Sequence, residues 1–537
     1  MLDRYRRSLY SRSLLYFRGV GFFHVLLISS VAYLLLPMLI FFIGWLKPIL
    51  ALILSVIAIY AGYIFVVRLR SYLPHKTVSF SIPNRVILGI LLINLLLVLI
   101  SGIGGIQKWQ TSDWAKHNAV LESLIDHPWP VFFEINQNII SLVYSSAYYV
   151  PSALVGKISN WTMANIALLI WSFIGTSLAS FWYMFLVRRT LFWVILIFIL
   201  FSGLDGLAVA VKTVCSALIN SADSFQFFNL KKMEFIDLAQ GHLEWWAEIG
   251  TYPSNVTSLF WAPQHAIAGW IATSIFYIYQ KQSRSRGEIL FPFAAVILAS
   301  PFVFAGLFFY LLFDLKTRWQ IYFAKLKTIL SVTNISSGLI ILVVGLYYFS
   351  AINSPAAYVN APGIGIGLSP LKFYKGPADY ALRLVIFLVL EVGVCVILIN
   401  FFSNISEDYS EYRVFVFTCV LLLTIPLIKI GTFNDFMMRA SIPSFFILSV
   451  FLGNAVVNAR GFRLIIFLGF LILCSINPLV EITRNIHPSF FSKSGMLEFP
   501  TREQDVWSIS KMAEAKWFLL QQYLGNSNSY FFRHLSK

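Results

Sequence analysis

The sequence predicts an all-α fold: a polytopic bundle of about 13 transmembrane helices with short helices lying along its outer face. Three observations lead there. Of 537 residues, 58% are hydrophobic and only 12% charged, about half the charged share of a soluble domain, and mean hydropathy is +0.76. Many windows of about 18 residues or more are almost free of charge, the length a helix needs to cross a bilayer. Fifty Phe, 25 Tyr and 15 Trp suit lipid contact and interfacial belts. A β-barrel would instead alternate in segments of about ten residues.

The elements follow in order. Arg4, Arg6, Arg7, Arg12 and Arg18 precede the first apolar run and place the N-terminal arm in the cytoplasm. That run has no small-residue cleavage site, so it reads as a retained anchor. Span 1 covers about 22–46, Lys47-Pro48 makes a tight outer turn, and span 2 returns over about 48–67 to Arg68, Arg70, Lys76 and Arg85. Span 3, about 86–106, passes Ser101-Gly102-Ile103-Gly104-Gly105 and delivers Asp113 to the outer face. Residues 138–156 are apolar enough to span. A crossing there would put Arg188-Arg189, after the span at about 162–187, on the wrong side of the positive-inside rule. Residues 107–160 therefore read as one outer loop, with Trp129-Pro130 and Tyr148-Tyr149-Val150-Pro151 in interfacial or re-entrant helices.

Span 5, about 191–206, ends at Phe201-Ser202-Gly203-Leu204-Asp205 and brings a second acid outside, followed by an outer loop over about 207–262. Span 6 descends to Lys281, Arg284 and Arg286. Residues 289–315, with Ser300-Pro301 at their centre, form two short spans or a broken hairpin. Span 9 rises over about 328–350 to a Gly/Pro-rich loop at 351–380. Span 10 descends to an acidic run, Glu407-Asp408-Tyr409-Ser410-Glu411, that runs against its expected inner position. Span 11 rises to Gly431, span 12 falls to Arg460 and Arg463, and span 13 rises again. Four regions result: 1–106, the arm and spans 1–3; 107–160, the first outer loop; 161–480, the remaining core with loop 207–262; and 481–537, an extracytoplasmic tail.

A formal net charge of +16 is accounted for by basic inner loops, and no nucleic-acid partner is expected. Cys215, Cys395, Cys419 and Cys474 match no metal spacing, and structural disulfides are not expected.

In this threading the unusual polar residues fall on one side. Asp113 and His117 are four apart, so they share a helix face with Lys116 beside them. Asp205 ends span 5. His242, Glu244 and Trp245-Trp246 lie in the second large loop, His265 opens span 6, and Asn434-Asp435 with Arg439 open span 12. Each has a plainer reading. Asp113 is a helix N-cap, His117 a hydrogen-bonded structural histidine, and Asp205 a turn residue. His242 and Glu244 are solvated, with the tryptophans as interface anchors. His265 caps a span, and Asp435–Arg439 is a local salt bridge. The acids and histidines leave a divalent cation open, without a compact ligand motif such as HExxH.

This layout resembles the GT-C superfamily of polytopic glycosyltransferases, which use polyprenyl-phosphate-linked sugars. The resemblance rests on Asp113 in an early outer loop, Pro128-Trp129-Pro130 and Tyr148-Tyr149-Val150-Pro151, the span ending at Arg188-Arg189, the Ser300-Pro301 hairpin and the extracytoplasmic tail. Phe201-Ser202-Gly203-Leu204-Asp205, His242-Leu243-Glu244-Trp245-Trp246 and Asn434-Asp435-Phe436-Met437-Met438-Arg439 look like runs in uncharacterised bacterial proteins of this layout. Two features depart from the family. Two additional spans precede the acid, and no second acid follows Asp113 before Glu122, which argues against a tightly bound catalytic metal.

The resemblance implies an inverting transfer at the extracytoplasmic face of a bacterial cytoplasmic membrane, from a polyprenyl-phosphate sugar to a glycan, lipid or protein acceptor. Asp113 would take the acceptor proton, with Asp205 and His117 as further catalytic candidates. Lys116, His242, Glu244, His265, Asp435 and Arg439 would bind substrate, the cationic ones at the leaving phosphate. The rivals are a lipid-linked glycan polymerase or ligase, which would rely on outer-loop arginines scarce here, and a transporter or flippase, which would more often show internal repeats.

Overall fold

The computed structural model describes residues 21–72, 82–105, 110–111, 113–135, 138–220, 243–282, 287–318, 320, 329–352, 377–403, 405, 408–430, 434–491 and 523–537. Nearly all the regular structure is helical. In a lipid setting this is forced, because backbone donors and acceptors must pair within the segment. The chain runs through α1 (Phe22–Trp45), α2 (Pro48–Tyr72), α3 (Asn84–Ile100), α4 (Trp114–Asp126), β1 (Phe132–Ile135), β2 (Asn138–Leu142), α5 (Val150–Ile158) and α6 (Trp161–Val187). It continues through α7 (Trp193–Leu200), α8 (Asp205–Asn220), α9 (Asn255–Trp261), α10 (Pro263–Gln282), α11 (Phe291–Val296), α12 (Pro301–Thr317) and α13 (Val332–Ile352). The last elements are α14 (Pro377–Leu388), a π turn (Val389–Gly393), α15 (Val394–Phe402), α16 (Tyr409–Thr424), α17 (Asp435–Ala440), α18 (Ile442–Asn458), α19 (Phe462–Phe491) and β3 (Leu524–Asn526).

Seven helices among the described residues are long and apolar enough to cross a membrane, or eight if the bent α7–α8 pair is one span. On α2, Ile49, Leu52, Val56 and Tyr63 are 57–77% exposed, while Leu54, Ala58, Ala61, Phe65 and Leu69 are fully buried. A helix with one face packed and the other bare and aliphatic is stable against lipid and costly in water. The protein is a membrane protein.

The bundle has two distinct ends. At the end holding the α1–α2 turn, Trp45 stacks on Trp129 with ring centroids 5.2 Å apart. The sheet β1-β2-β3 is antiparallel throughout. The C-terminus docks here: Lys47 N–H donates to the Leu535 carbonyl and Lys537 N–H to that of Trp45, both at 3.0 Å. The segment expected as an outer tail from 481 is therefore helical to Phe491, and its last residues close a sheet on the bundle.

The other end carries Arg188, Lys281, Arg460 and Arg463, and the acidic run belongs to it. Glu411 pairs with Lys281 and accepts the Tyr277 hydroxyl at 2.5 Å. Asp408 caps α16 by accepting the Ser410 and Glu411 amides at 3.0 and 3.2 Å. A lysine and a helix N-terminus explain why carboxylates tolerate this end.

One expectation agrees with the structure, the non-crossing of 138–156, and one, the end of span 5, is corrected. Residues 138–156 form a strand, a one-turn 3₁₀ segment at Ser146–Tyr148 and the start of α5, so no continuous helix crosses there. Span 5 does not end at Asp205. The helix breaks after Leu200, bends by 48° and resumes at Asp205, so residues 207–220 are helix and not loop. The break is paid for locally: the π turn frees the Leu390 carbonyl, which accepts the Leu204 amide at 3.2 Å.

Candidate active site

The sequence-predicted residues separate into two clusters. The first lies at the α1–α2 turn end and is built from the loop 110–149, the start of α10, the Ser300–Pro301 break and α17. Ser300 N-caps α12 by accepting the Val303 amide at 3.2 Å, with Pro301 in the first turn, the arrangement those two residues favour. Gly104, at φ 77°, lets the Ser101–Gly105 turn lie against α6, where an added Cβ would meet the Asn165 carbonyl at 2.7 Å.

Asp113 stands at the N-cap position of α4, yet its side chain makes no cap. The carboxylate turns to Lys116 at 2.8 Å, and the two side chains are 35% and 29% exposed. The simple capping reading is thus set aside by geometry, and Asp113 presents an accessible carboxylate. Arg439 pairs with Asp435 at 2.8 Å, both 17% exposed, and lies over the Phe302 ring at 5.8 Å. Burial works against the guanidinium charge, and Asp435, Tyr144, Tyr523 and Asp113 outweigh it, holding the Arg439 pKa above its usual value. Asp113 and Arg439 therefore feel one another.

Beneath them lie polar groups with spare capacity. Gln264 donates to the Tyr144 hydroxyl at 3.0 Å. His265 Nδ1 meets Ser300 Oγ at 2.9 Å. His265 Nε2 and Gln264 Oε1 are buried and find no hydrogen-bond partner among the described residues. Burial, then Tyr523, pushes the Tyr144 hydroxyl well above the usual range, and burial, then the Asp113 charge, does the same to Tyr523, so both keep their protons at neutral pH.

At His117 the geometry fits the plainer reading, a hydrogen-bonded structural histidine. It is buried, and both ring nitrogens are engaged, with Tyr149 Oη at 2.5 Å and the Trp261 carbonyl at 3.0 Å. A carbonyl only accepts, so Nε2 carries the proton and Nδ1 accepts from Tyr149. Burial pulls its pKa down to about 4, and the unfolded chain, near the ordinary histidine value of about 6.5, binds the extra proton between these values. Its contribution to stability is present above pH 6.5 and lost as pH falls toward 4. His117→Gln is expected to flatten that acid limb by up to roughly 3 kcal/mol, measured as unfolding in detergent at each pH. Parallel limbs in the two proteins would refute the assignment.

The second cluster lies at the α7–α8 break and contains Asp205 and Glu244. Both are buried, which sets aside the plainer reading of Glu244 as a solvated residue and leaves neither carboxylate open to water. Ser202 Oγ donates to Asp205 at 2.9 Å. Glu244 accepts the Ser254 amide at 2.9 Å and Asn477 at 2.6 Å, while Asn477 also reaches Ser202 at 3.2 Å. The third acid, Glu391, sits in the π turn and accepts Trp246 Nε1 at 3.0 Å. Trp246 is thus a donor to a buried acid rather than an interface anchor. Burial, then the Asp205 charge, pushes Glu244 up to about 8, so it keeps its proton at neutral pH. Glu391 was missed because a lone acid in an apolar run has no local partner; the interruption of apolarity at that position was the available signal.

The clusters meet along α19. Asn477 serves the second, and one turn on Glu481 accepts Trp261 Nε1 at 2.5 Å and pairs with Arg484 at 2.5 Å beside the first. His242 lies outside the described residues. No group of three or more His, Cys, Asp or Glu among the described residues is placed to hold a metal ion. No family model, no curated protein and no solved structure matches the chain.

Proposed function

We propose that the chain is a membrane glycosyltransferase of GT-C-like layout, threading about 13 times, that moves a sugar from a polyprenyl-phosphate donor to an acceptor at the extracytoplasmic face with inversion. The observation that carries this reading is the accessible Asp113 carboxylate beside Lys116, within the field of Arg439. An acceptor hydroxyl must lose a proton as it attacks, and Asp113 is the base. A departing lipid phosphate needs cations, and Lys116 and Arg439 supply them, with His265 Nε2 as a further polar contact. His117 holds α4 to Trp261 and takes no proton. Asp205 and Glu244 sit in the buried acid cluster and support the fold around α19.

The test is turnover: purified protein in liposomes with a polyprenyl-phosphate sugar should release polyprenyl phosphate and glycosylate the acceptor. Arg439→Lys is expected to weaken donor binding by about 10- to 100-fold, the loss of one charge-assisted bidentate contact. Unchanged donor affinity on a stable Lys variant leaves Arg439 with only its Asp435 bridge. For sidedness, a cysteine at position 116 should react with a membrane-impermeant thiol reagent from outside; reaction from the cytoplasm alone overturns the orientation.

One observation favours a second reading, transport. A broken helix facing a π turn that carries a buried acid is how many transporters build a midplane site. The readings part on bond cleavage. A flippase would deliver intact lipid-linked glycan to the other leaflet, and a transferase would split donor from lipid.

A further inference from the structure

A cavity of about 990 Å³ opens at the arginine end, away from Asp113, between the ends of α6, α10, α15, α16, α18 and α19. Its charged lining is Arg188, Lys281, Arg460 and Arg463 against Asp408 and Glu411, an excess of two positive charges. The acids are already engaged, Glu411 with Lys281 and Tyr277 and Asp408 with the amides that open α16. Arg188, Arg460 and Arg463 have no carboxylate or hydrogen-bond partner among the described residues. Arg188 ends α6 in the left-handed region at φ 56°, a position that favours glycine. Nothing in the helix cap asks for an arginine there, whereas the cavity gains a guanidinium from it. Phe185, Val450 and Phe402 give the cavity an apolar wall, and Tyr277, Ser403, Asn454 and Asn458 add polar groups to the rest of the lining. The volume suits a ligand of drug size or a lipid headgroup.

From this cavity we infer that the arginine end binds a phosphate-bearing anion, with Arg188, Arg460 and Arg463 as its ligands and the apolar walls beside it taking an acyl chain. Three guanidiniums in one cleft, without a carboxylate partner among the described residues, match phosphate oxygens better than carboxylate, because each offers a planar pair of donors. The shared chemistry fits an anionic phospholipid or a soluble phosphate compound, and basic pockets between membrane helices commonly hold headgroups. The site is separate from the proposed transfer site and stands whether or not transfer is found.

The experiment uses the full chain in a neutral detergent. Native mass spectrometry with phosphatidylglycerol should show a retained lipid, and phosphatidylcholine should not compete. Arg188→Gln/Arg460→Gln/Arg463→Gln should weaken retention at least tenfold. The control Arg68→Gln/Arg70→Gln/Arg85→Gln removes equal charge outside the cavity and should leave retention unchanged. Thermal stabilisation by inorganic phosphate in the wild type, lost in the cavity variant, would assign a soluble phosphate source. Retention of phosphatidylglycerol without a phosphate effect would assign the lipid. If neither probe binds, or both triple variants lose binding equally, the inference is overturned. Should the cavity triple variant fail to fold, Arg463→Gln alone is expected to lower retention measurably, and no change there also overturns it.

Discussion

Asp113→Asn is expected to reduce sugar transfer about 100- to 10,000-fold, the usual contribution of a positioned general base, while the protein stays folded and inserted. The substitution preserves shape and removes the basic oxygen. Its side chain makes no helix cap, so no cap is lost. Its partner Lys116 is partly exposed, and an ion pair of that kind contributes about 1 kcal/mol or less. Lys116→Gln breaks the same pair and keeps the base, so it separates the roles. If pairing is all that Asp113 does, the two variants lose activity equally. If Asp113 is the base, the Asn variant falls much further and the Lys116 variant shows weakened donor binding. Near-normal turnover in Asp113→Asn would end the catalytic assignment.

The second large effect concerns the scaffold. Gly306 on α12 lies directly against the Ala440 carbonyl of α17, and a Cβ there would collide with backbone, which cannot swing aside as a side-chain tip can. Overpacking of this kind costs about 1–3 kcal/mol, so Gly306→Ala should lower the melting temperature in detergent by several degrees. Because α17 carries Asp435 and Arg439, the same substitution should displace the guanidinium and reduce donor binding. Gly338 on α13 is the matched control, with nothing within 4 Å of an added Cβ. Gly338→Ala should be neutral or slightly stabilising, as alanine is the better helix former. Equal melting temperatures for the two variants would show that the α12–α17 contact is not tight.

Membrane character was legible from composition alone, since a chain so poor in charge must either bury its apolar length or face lipid. Helix hairpins were legible wherever a polar punctuation sits in an apolar run, as at Lys47-Pro48 and Ser300-Pro301, because capping and proline sterics act locally. Counting passes grouped Asp113, Lys116, His265, Asp435 and Arg439 with Asp205 and Glu244, and the fold puts the last two in a separate buried cluster. Direction along the helix is written in hydropathy; rotation about it and depth beneath the surface are not. His117 and Asp113 share a face by spacing, yet one is buried between Tyr149 and the Trp261 carbonyl while the other meets Lys116. The acid cluster depends on partners far apart in the chain, as Trp246 and Glu391 are 145 residues apart. The bend at Asp205 is tolerated because a π turn supplies the Leu390 carbonyl. Periodicity and charge thus determined most of the segments that are helices. Only the packing of helices against one another decided which carboxylate is open to solvent, because burial is set by neighbours the local sequence does not contain.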